Sequence, residues 1–282
     1  MAQSDEVLSG SRFAFGENWR RFLALVDERR IGAAENSLKA RLGHADLRGL
    51  SFLDVGSGSG LFSLAARRLG AKIHSLDYDP QSVACTRELK RRYFPDSPDW
   101  VVEEGSALDA AYLDRLGEWD VVYSWGVLHH TGAMWQACAN MAGLVKPGGQ
   151  LFIAIYNDQG RGSRRWLAVK RAYNRAPLPL KWLILAFCTV RLRGPTLVRD
   201  TLRGAPLRSW REHGRTSSRG MSVWRDIVDW VGGLPFEVAK PEEMFEFFRQ
   251  RGFALEQMAT CGGGLGCNEF VFRKSLAGSP GE

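Results

Sequence analysis

Two adjacent imidazoles, His129 and His130, are the side chains of this 282-residue chain best suited to moving a proton near neutral pH. They follow the apolar run Trp119-Asp-Val-Val-Tyr123, which has the composition of a strand, so they stand where a strand of an α/β sheet would end. Two further groups point to a bound nucleoside. One is Phe52-Leu-Asp-Val-Gly-Ser-Gly-Ser-Gly-Leu-Phe62, an apolar strand running into glycines at 56, 58 and 60. A strand, a glycine turn and a helix in that order let backbone N–H groups approach a ligand without obstruction by Cβ atoms. The dinucleotide fingerprint G-x-G-x-x-G would need glycine where Leu61 stands, which disfavours hydride transfer with a nicotinamide. The other is Asp77-Tyr-Asp-Pro80, after the strand-like Lys72-Ile-His-Ser-Leu76. An acidic residue there can accept both hydroxyls of a ribose, and Tyr78 offers an aromatic face to a base.

The stretch from Asp54 to Gly60 resembles motif I of the class I S-adenosylmethionine-dependent methyltransferases, an acidic residue followed by G-x-G-x-G. The run from Trp119 through Lys146-Pro-Gly-Gly149 is similar to the branch that contains the ubiquinone-biosynthesis methylases and several sugar O-methyltransferases. The likeness covers residues 50 to 156 well and the C-terminal hairpin more loosely. It implies S-adenosylmethionine as cofactor and S-adenosylhomocysteine as product, held by Asp54, Gly56, Ser57, Gly58, Gly60, Asp77, Tyr78, Ser106, Ala107 and Trp125. Where the family usually has an acidic residue, this chain has Ser106, which can accept one hydrogen bond. Paired histidines after strand four are common in related O-methyltransferases, where one acts as base; His129 is the first candidate here and His130 the second. Tyr156, Asn157 and Asp158, past strand five, and Asn268 and Glu269, at the entry to the last strand, are candidates for binding the acceptor.

These residues need a sheet to position them. Asp99-Trp-Val-Val-Glu103 and Gln150-Leu-Phe-Ile-Ala-Ile155 supply third and fifth strands, Phe253–Met258 and Glu269–Arg273 a sixth and seventh. The expected fold is α/β: a Rossmann-like, doubly wound, seven-stranded sheet, mostly parallel with an antiparallel last strand, and a helical cap inserted after strand five. The expected division is a helical segment over the cofactor (1–48), a cofactor-binding core (49–157), a basic cap (158–235), a helix and hairpin completing the core (236–275), and a disordered tail (276–282). Asn18 to Leu42 reads as helix with Gly43 as its end, and Trp19 and Phe22 as residues packing on the sheet. Pro241 at a first helical position, followed by Glu242 and Glu243, predicts a helix to Arg249.

Charge is distributed unevenly. The formal net charge is +7, yet from Asp158 to Arg225 there are sixteen Lys or Arg against three acids, while the rest of the chain has 22 basic and 28 acidic residues. Within that basic segment, Pro177 to Val190 is apolar and flanked by Arg175, Arg191 and Arg193: a packed cap helix, an interfacial helix making peripheral membrane contact over 177–193, or a subunit contact. Five scattered cysteines without C-x-x-C spacing predict neither a disulfide framework nor a metal site. With no basic-then-apolar start and no long apolar run, the expected location is the cytoplasm, with the inner membrane as a peripheral contact. The acceptor is expected to be a hydroxyl on a small molecule or glycan, anionic, phosphorylated or lipid-linked. An RNA methyltransferase that binds tRNA through the cap is the alternative, and a non-catalytic cofactor-binding regulator a third reading.

Overall fold

The computed structural model describes residues 6, 9, 11–13, 23, 26–211 and 223–276. Trp19 and Phe22, and all but the first residue of the 276–282 tail, lie outside the described residues.

The chain alternates strand and helix through its first half. β1 (Ser51–Val55), β2 (Lys72–Asp77), β3 (Trp100–Glu104), β4 (Trp119–Trp125) and β5 (Val145–Tyr156) lie parallel; β6 (Phe253–Ala259) and β7 (Cys267–Lys274) finish a seven-stranded sheet in the order β3-β2-β1-β4-β5-β7-β6. β7 runs antiparallel to both β5 and β6, as the hairpin pattern predicted. The apolar central strands are covered on both faces. Phe52 and Leu53 are fully buried on opposite sides, one beneath α1 (Glu28–Leu42) and α2 (Leu61–Arg68), the other with α5 (Met134–Gly143). Two more helices, α3 (Pro80–Tyr93) and α4 (Ala110–Leu116), link β2 to β3 and β3 to β4.

Local chemistry explains the element ends. Asp27 caps α1 by accepting from the Arg30 amide, and Gly43 stops it in the left-handed region at φ 71°. β5 starts at Val145, five residues before the expected Gln150, because Val145 pairs with Trp119 of β4; Lys146-Pro-Gly-Gly149 then bulges out before Gln150 pairs with Val121. Gly149 permits the return to β4: a Cβ there would lie 2.9 Å from the Asp120 carbonyl.

After β5 the chain forms α6 (Arg161–Arg175), α7 (Leu178–Leu202) and α8 (Val223–Gly232), which pack on one another around Tyr173, Leu185, Cys188, Ile227 and Val231. α7 is longer than the apolar Pro177–Val190 run, continuing through Arg191 and Pro195. No described helix is long and apolar enough to cross a membrane. α9 (Pro241–Arg249) begins at the predicted proline; the Glu243 side chain accepts from the Lys240 amide, satisfying one backbone donor at the helix start.

Candidate active site

The order of strands reverses between β1 and β4, and a cavity of about 660 Å³ opens at the carboxyl ends of the strands beside that reversal. Its floor is made by the ends of β1 (Val55, Gly56), β2 (Leu76, Asp77), β4 (Trp125) and β5 (Tyr156), with Gly58, Tyr78, Ser106, Ala107 and His130 in the loops beyond.

The glycine loop works by making room. The amides of Gly56 and Ser57 both donate to the Leu76 carbonyl, at 2.8 and 3.0 Å, and the Gly60 amide donates to the Ser57 carbonyl at 2.8 Å. The sequence pattern suggested amides presented to a ligand; these three are spent within the fold. The steric requirement is severe instead. A Cβ on Gly56, at φ +83°, would lie 2.4 Å from both methyls of Val127, and one on Gly60 would lie 2.8 Å from the Thr86 Cα.

Asp77 ends β2 on the cavity wall. Its Oδ2 accepts from the Gly58 amide and its Oδ1 from the Asp79 amide, both at 2.9 Å. The Tyr78 amide bonds to the same carboxylate, so three backbone amides hold it and one acceptor position is left for a donor from the cavity. Burial pushes its pKa up to about 6, against the opposing pull of those amides. Asp54 is placed differently. It is 1% exposed, accepts from the Ser63 hydroxyl and does not line the cavity; burial raises its pKa to about 7. Ser57 and Gly60 likewise lie behind the lining, with the Ser57 hydroxyl 2.9 Å from that of Thr86. Ser106 lines the cavity, and its oxygen also accepts from the Leu108 amide at 3.2 Å.

The two histidines occupy one 3-10 turn, Leu128–His130, after β4. Their hydrogen bonds assign opposite tautomers. His130 Nδ1 lies 2.6 Å from the Pro235 carbonyl oxygen, which can only accept, so Nδ1 holds the proton and the lone pair of the neutral ring sits on Nε2. His129 Nδ1 accepts from the Tyr156 amide at 3.3 Å, which puts the neutral ring's proton on Nε2. His129 is fully buried, is stacked on Tyr156 with ring centroids 3.8 Å apart, and lies behind the lining; His130 is part of it.

The remaining candidates near β5 and β7 hold the walls in place. Asn268 donates to the Asn157 side-chain oxygen at 3.0 Å and accepts from the Cys261 amide at 3.1 Å, while Asn157 donates to the Gly264 carbonyl at 3.1 Å. Together they pin the hairpin loop, whose Leu265, Gly266 and Cys267 reach the cavity although Asn157 and Asn268 do not. Glu269 accepts from the Trp125 indole at 3.0 Å and pairs with Arg41 of α1 at 2.7 Å, steadying a lining side chain from outside. Asp158 accepts from the Gly160 amide just before α6 and does not reach the cavity.

Sequence reasoning missed the opposite wall. Arg12, Leu192 and Arg193 of α7, and Ile227, Asp229 and Trp230 of α8 complete the cavity, with Arg12 over the Tyr78 ring at 4.9 Å and donating to the His130 carbonyl at 2.9 Å. Behind Trp230, Lys170 is fully buried against the Trp230 and Phe236 rings, and burial pushes its pKa down to about 7. Only the basic excess of the cap hinted at this wall. Among the described residues, no cluster of three or more His, Cys, Asp or Glu could hold a metal ion.

Known proteins resemble this arrangement. The methyltransferase domain family matches residues 53–153. The ubiquinone biosynthesis O-methyltransferase of Xanthomonas oryzae pv. oryzae is 30% identical over 184 residues, 62% of this chain and 73% of that relative. Its counterpart in Erwinia tasmaniensis is 36% identical over 131 residues, 44% of this chain and 49% of the relative. The magnesium protoporphyrin IX methyltransferase of Synechocystis PCC 6803, solved with bound SAH, shares the fold at a TM-score of 0.51 and 13% identity, over 88% of this chain and 84% of that one.

Proposed function

This chain belongs to the class I S-adenosylmethionine-dependent methyltransferases, and we propose that it methylates a hydroxyl oxygen of a small molecule, with His130 as the general base. The cavity's strand-end wall fits the cofactor: the Asp77 carboxylate with an acceptor position left for a ribose hydroxyl, the Tyr78 ring beside it, and Gly56 and Gly58 lining the cavity without side chains. When bound, the cofactor supplies an electrophilic methyl group on a sulfonium.

The protein's own part is to orient the acceptor and take its proton. Several features support His130 for the second task. The bond to the Pro235 carbonyl fixes the ring's orientation and leaves the Nε2 lone pair as the basic site, on a side chain that lines the same cavity as Asp77. That one hydrogen bond carries the reading. The acceptor end combines the apolar side chains of Leu192, Ile227, Trp230 and Leu265 with Arg193, Asp229 and Arg12, the last of these paired with Glu6, a lining suited to a hydroxylated molecule with an apolar body. The two relatives, both named as O-methyltransferases of ubiquinone biosynthesis, support oxygen as the acceptor atom and an apolar acceptor over a glycan.

A matched pair of acceptors tests this. An ortho-dihydroxylated aromatic acid and its amino analogue, each incubated with labelled cofactor, should differ, with one methyl mass gained on the hydroxyl compound alone. Transfer to the amine and not to the hydroxyl would overturn the proposal.

A further inference from the structure

The acceptor end of the cavity depends on how one helix stops. Ile227, Asp229 and Trp230, near the end of α8, line it, and the Phe13 ring, also in the lining, packs on Gly232 so closely that a Cβ there would have no room. The last carbonyls of a helix have no partner within it and take donors from elsewhere. Two side chains of α6, four residues apart and therefore on one face, supply them here. Asn174 donates to the Gly232 carbonyl at 2.7 Å and to the Lys170 carbonyl at 2.9 Å, while Lys170 donates from Nζ to the Trp230 carbonyl.

Lysine is a costly residue for that position. Lys170 is fully buried, with Nζ 4.6 Å from the centroid of the Trp230 ring and 4.7 Å from that of Phe236. Burial pushes its pKa down to about 7, opposed by Asp229 of α8 and Cys188 of α7. A methionine would fill a similar space among these rings with no charge to desolvate. What the amine adds is an N–H donor for the end of α8 and, when protonated, a positive charge at the negative end of that helix.

We propose that Lys170 is a positioning residue for methyl transfer: from behind the cavity it fixes the last turn of α8, and so sets where Asp229 and Trp230 stand against the acceptor. Only the identity of the acceptor rests on the O-methyltransferase reading above. The rings beside Lys170 continue to the catalytic turn, since Trp230 and Phe236 both pack on Tyr156, at 5.0 and 5.5 Å between centroids, and Tyr156 stacks with His129. Those contacts depend on packing, which a methionine keeps. The helix end depends on the donor, so its loss should move the acceptor wall and leave the base and the cofactor wall in place.

Lys170→Met tests this, read first without turnover. Amide hydrogen exchange over residues 227–236 should quicken about tenfold or more, with β1 and β2 unchanged, because the turn loses a carbonyl partner and the sheet loses nothing. Removing the buried amine and leaving the Trp230 carbonyl unpaired act on stability in opposite directions, so the Tm should stay within about 5 °C of wild type. With the ortho-dihydroxylated aromatic acid as acceptor, KM should rise about tenfold at a kcat within about threefold, and the Kd for S-adenosylhomocysteine should stay within about twofold. Asn174→Ala, which removes the other donor from a half-buried position, should give the same pattern at a smaller amplitude. Unchanged exchange over 227–236 in both variants, quickened exchange with an unchanged KM, a fall in kcat at constant KM, or a Lys170→Met chain that does not fold overturns the proposal, the second and last by making Lys170 a structural anchor only. If the wild type methylates the amino analogue instead, the oxygen reading fails, and the same KM comparison on that analogue still decides the role of Lys170.

Discussion

Replacing His130 by asparagine separates the two imidazoles. The asparagine Nδ2 falls near the position of the histidine Nδ1, so the hydrogen bond to the Pro235 carbonyl, 2.6 Å in the wild type, is kept and the turn stays in place. What disappears is the Nε2 lone pair. A positioned general base contributes about 10²–10⁴-fold, or about 3–5 kcal/mol of barrier. The kcat of His130→Asn should fall by that factor, with the Kd for S-adenosylhomocysteine within about twofold of wild type, since the Asp77 wall is untouched. His129→Asn is the control. Its Oδ1 can accept the Tyr156 amide as Nδ1 does at 3.3 Å, but the ring stacked on Tyr156 is lost, so the expected effect is about 1–3 kcal/mol of stability with kcat reduced no more than about threefold. The assay is initial-rate transfer of labelled methyl across pH, with calorimetric titration of S-adenosylhomocysteine into each variant. If His130→Asn keeps its rate within about threefold, or His129→Asn is the variant that loses it, the tautomer assignment does not describe the catalytic base.

Four further outcomes follow from the geometry. Asp77, with its pKa raised to about 6, must be ionised to accept a ribose hydroxyl, so the Kd for S-adenosylhomocysteine should be flat above pH 7 and rise about tenfold per unit below the pKa; Asp77→Asn, in calorimetry, should weaken binding and flatten that dependence, and an unchanged wild-type Kd at pH 5 would remove the role. For Asp54, a folded pKa near 7 against an ordinary 3.8 means that the folded state binds the extra proton, so stability is lost as pH rises between those values; Asp54→Asn should leave denaturant stability unchanged near pH 4 and raise it by about 4 kcal/mol at pH 8, and an equal effect at both would show the carboxylate is not the source. Gly56→Ala, whose Cβ has no room beside Val127, should abolish S-adenosylhomocysteine binding in the same titration and lower the Tm. Glu269→Gln keeps an acceptor for the Trp125 indole and loses the Arg41 ion pair, so KM should change little, whereas Glu269→Ala, leaving that indole without its carboxylate, should raise KM at nearly constant kcat.

The cofactor side of the site was legible because its chemistry is local. A strand, a glycine turn and an acidic residue at the end of the next strand are contiguous in sequence, and the sheet only has to bring β1 beside β2, which parallel pairing from Ser51↔Lys72 to Val55↔Leu76 does. The choice between His129 and His130 was not legible. Adjacent residues in a 3-10 turn point in different directions, and what gives each its tautomer is remote: the Tyr156 amide for one, and for the other the carbonyl of Pro235, 105 residues later. Asn157 and Asn268 looked like acceptor contacts because polar residues at strand ends often face ligands. Here pairing of Ile155 with Asn268 buries the amide side chains together, and buried amides need partners, which the hairpin loop provides. Burial turned residues expected to bind into residues that hold the binding loop.

The cap shows the opposite case, in which composition gave the place but not the task. A net-basic segment with an apolar run is compatible with a packed helix, an RNA footprint or a lipid contact, since periodicity alone does not say which stripe of a helix its neighbours cover. The structure decides the stripe. Leu185 and Cys188 face α6 and α8, which leaves Leu183, Phe187 and Val190 outward, and the turn that follows puts Leu192 and Arg193 at the cavity. One helix thus has three assignments along its surface: a buried stripe that fastens it, a stripe left bare, and a flank that reaches the substrate. A helix serving only as a lid would need the first and third. The exposure of Leu183, Phe187 and Val190 is therefore the feature of α7 that its packing on α6 and α8 does not account for.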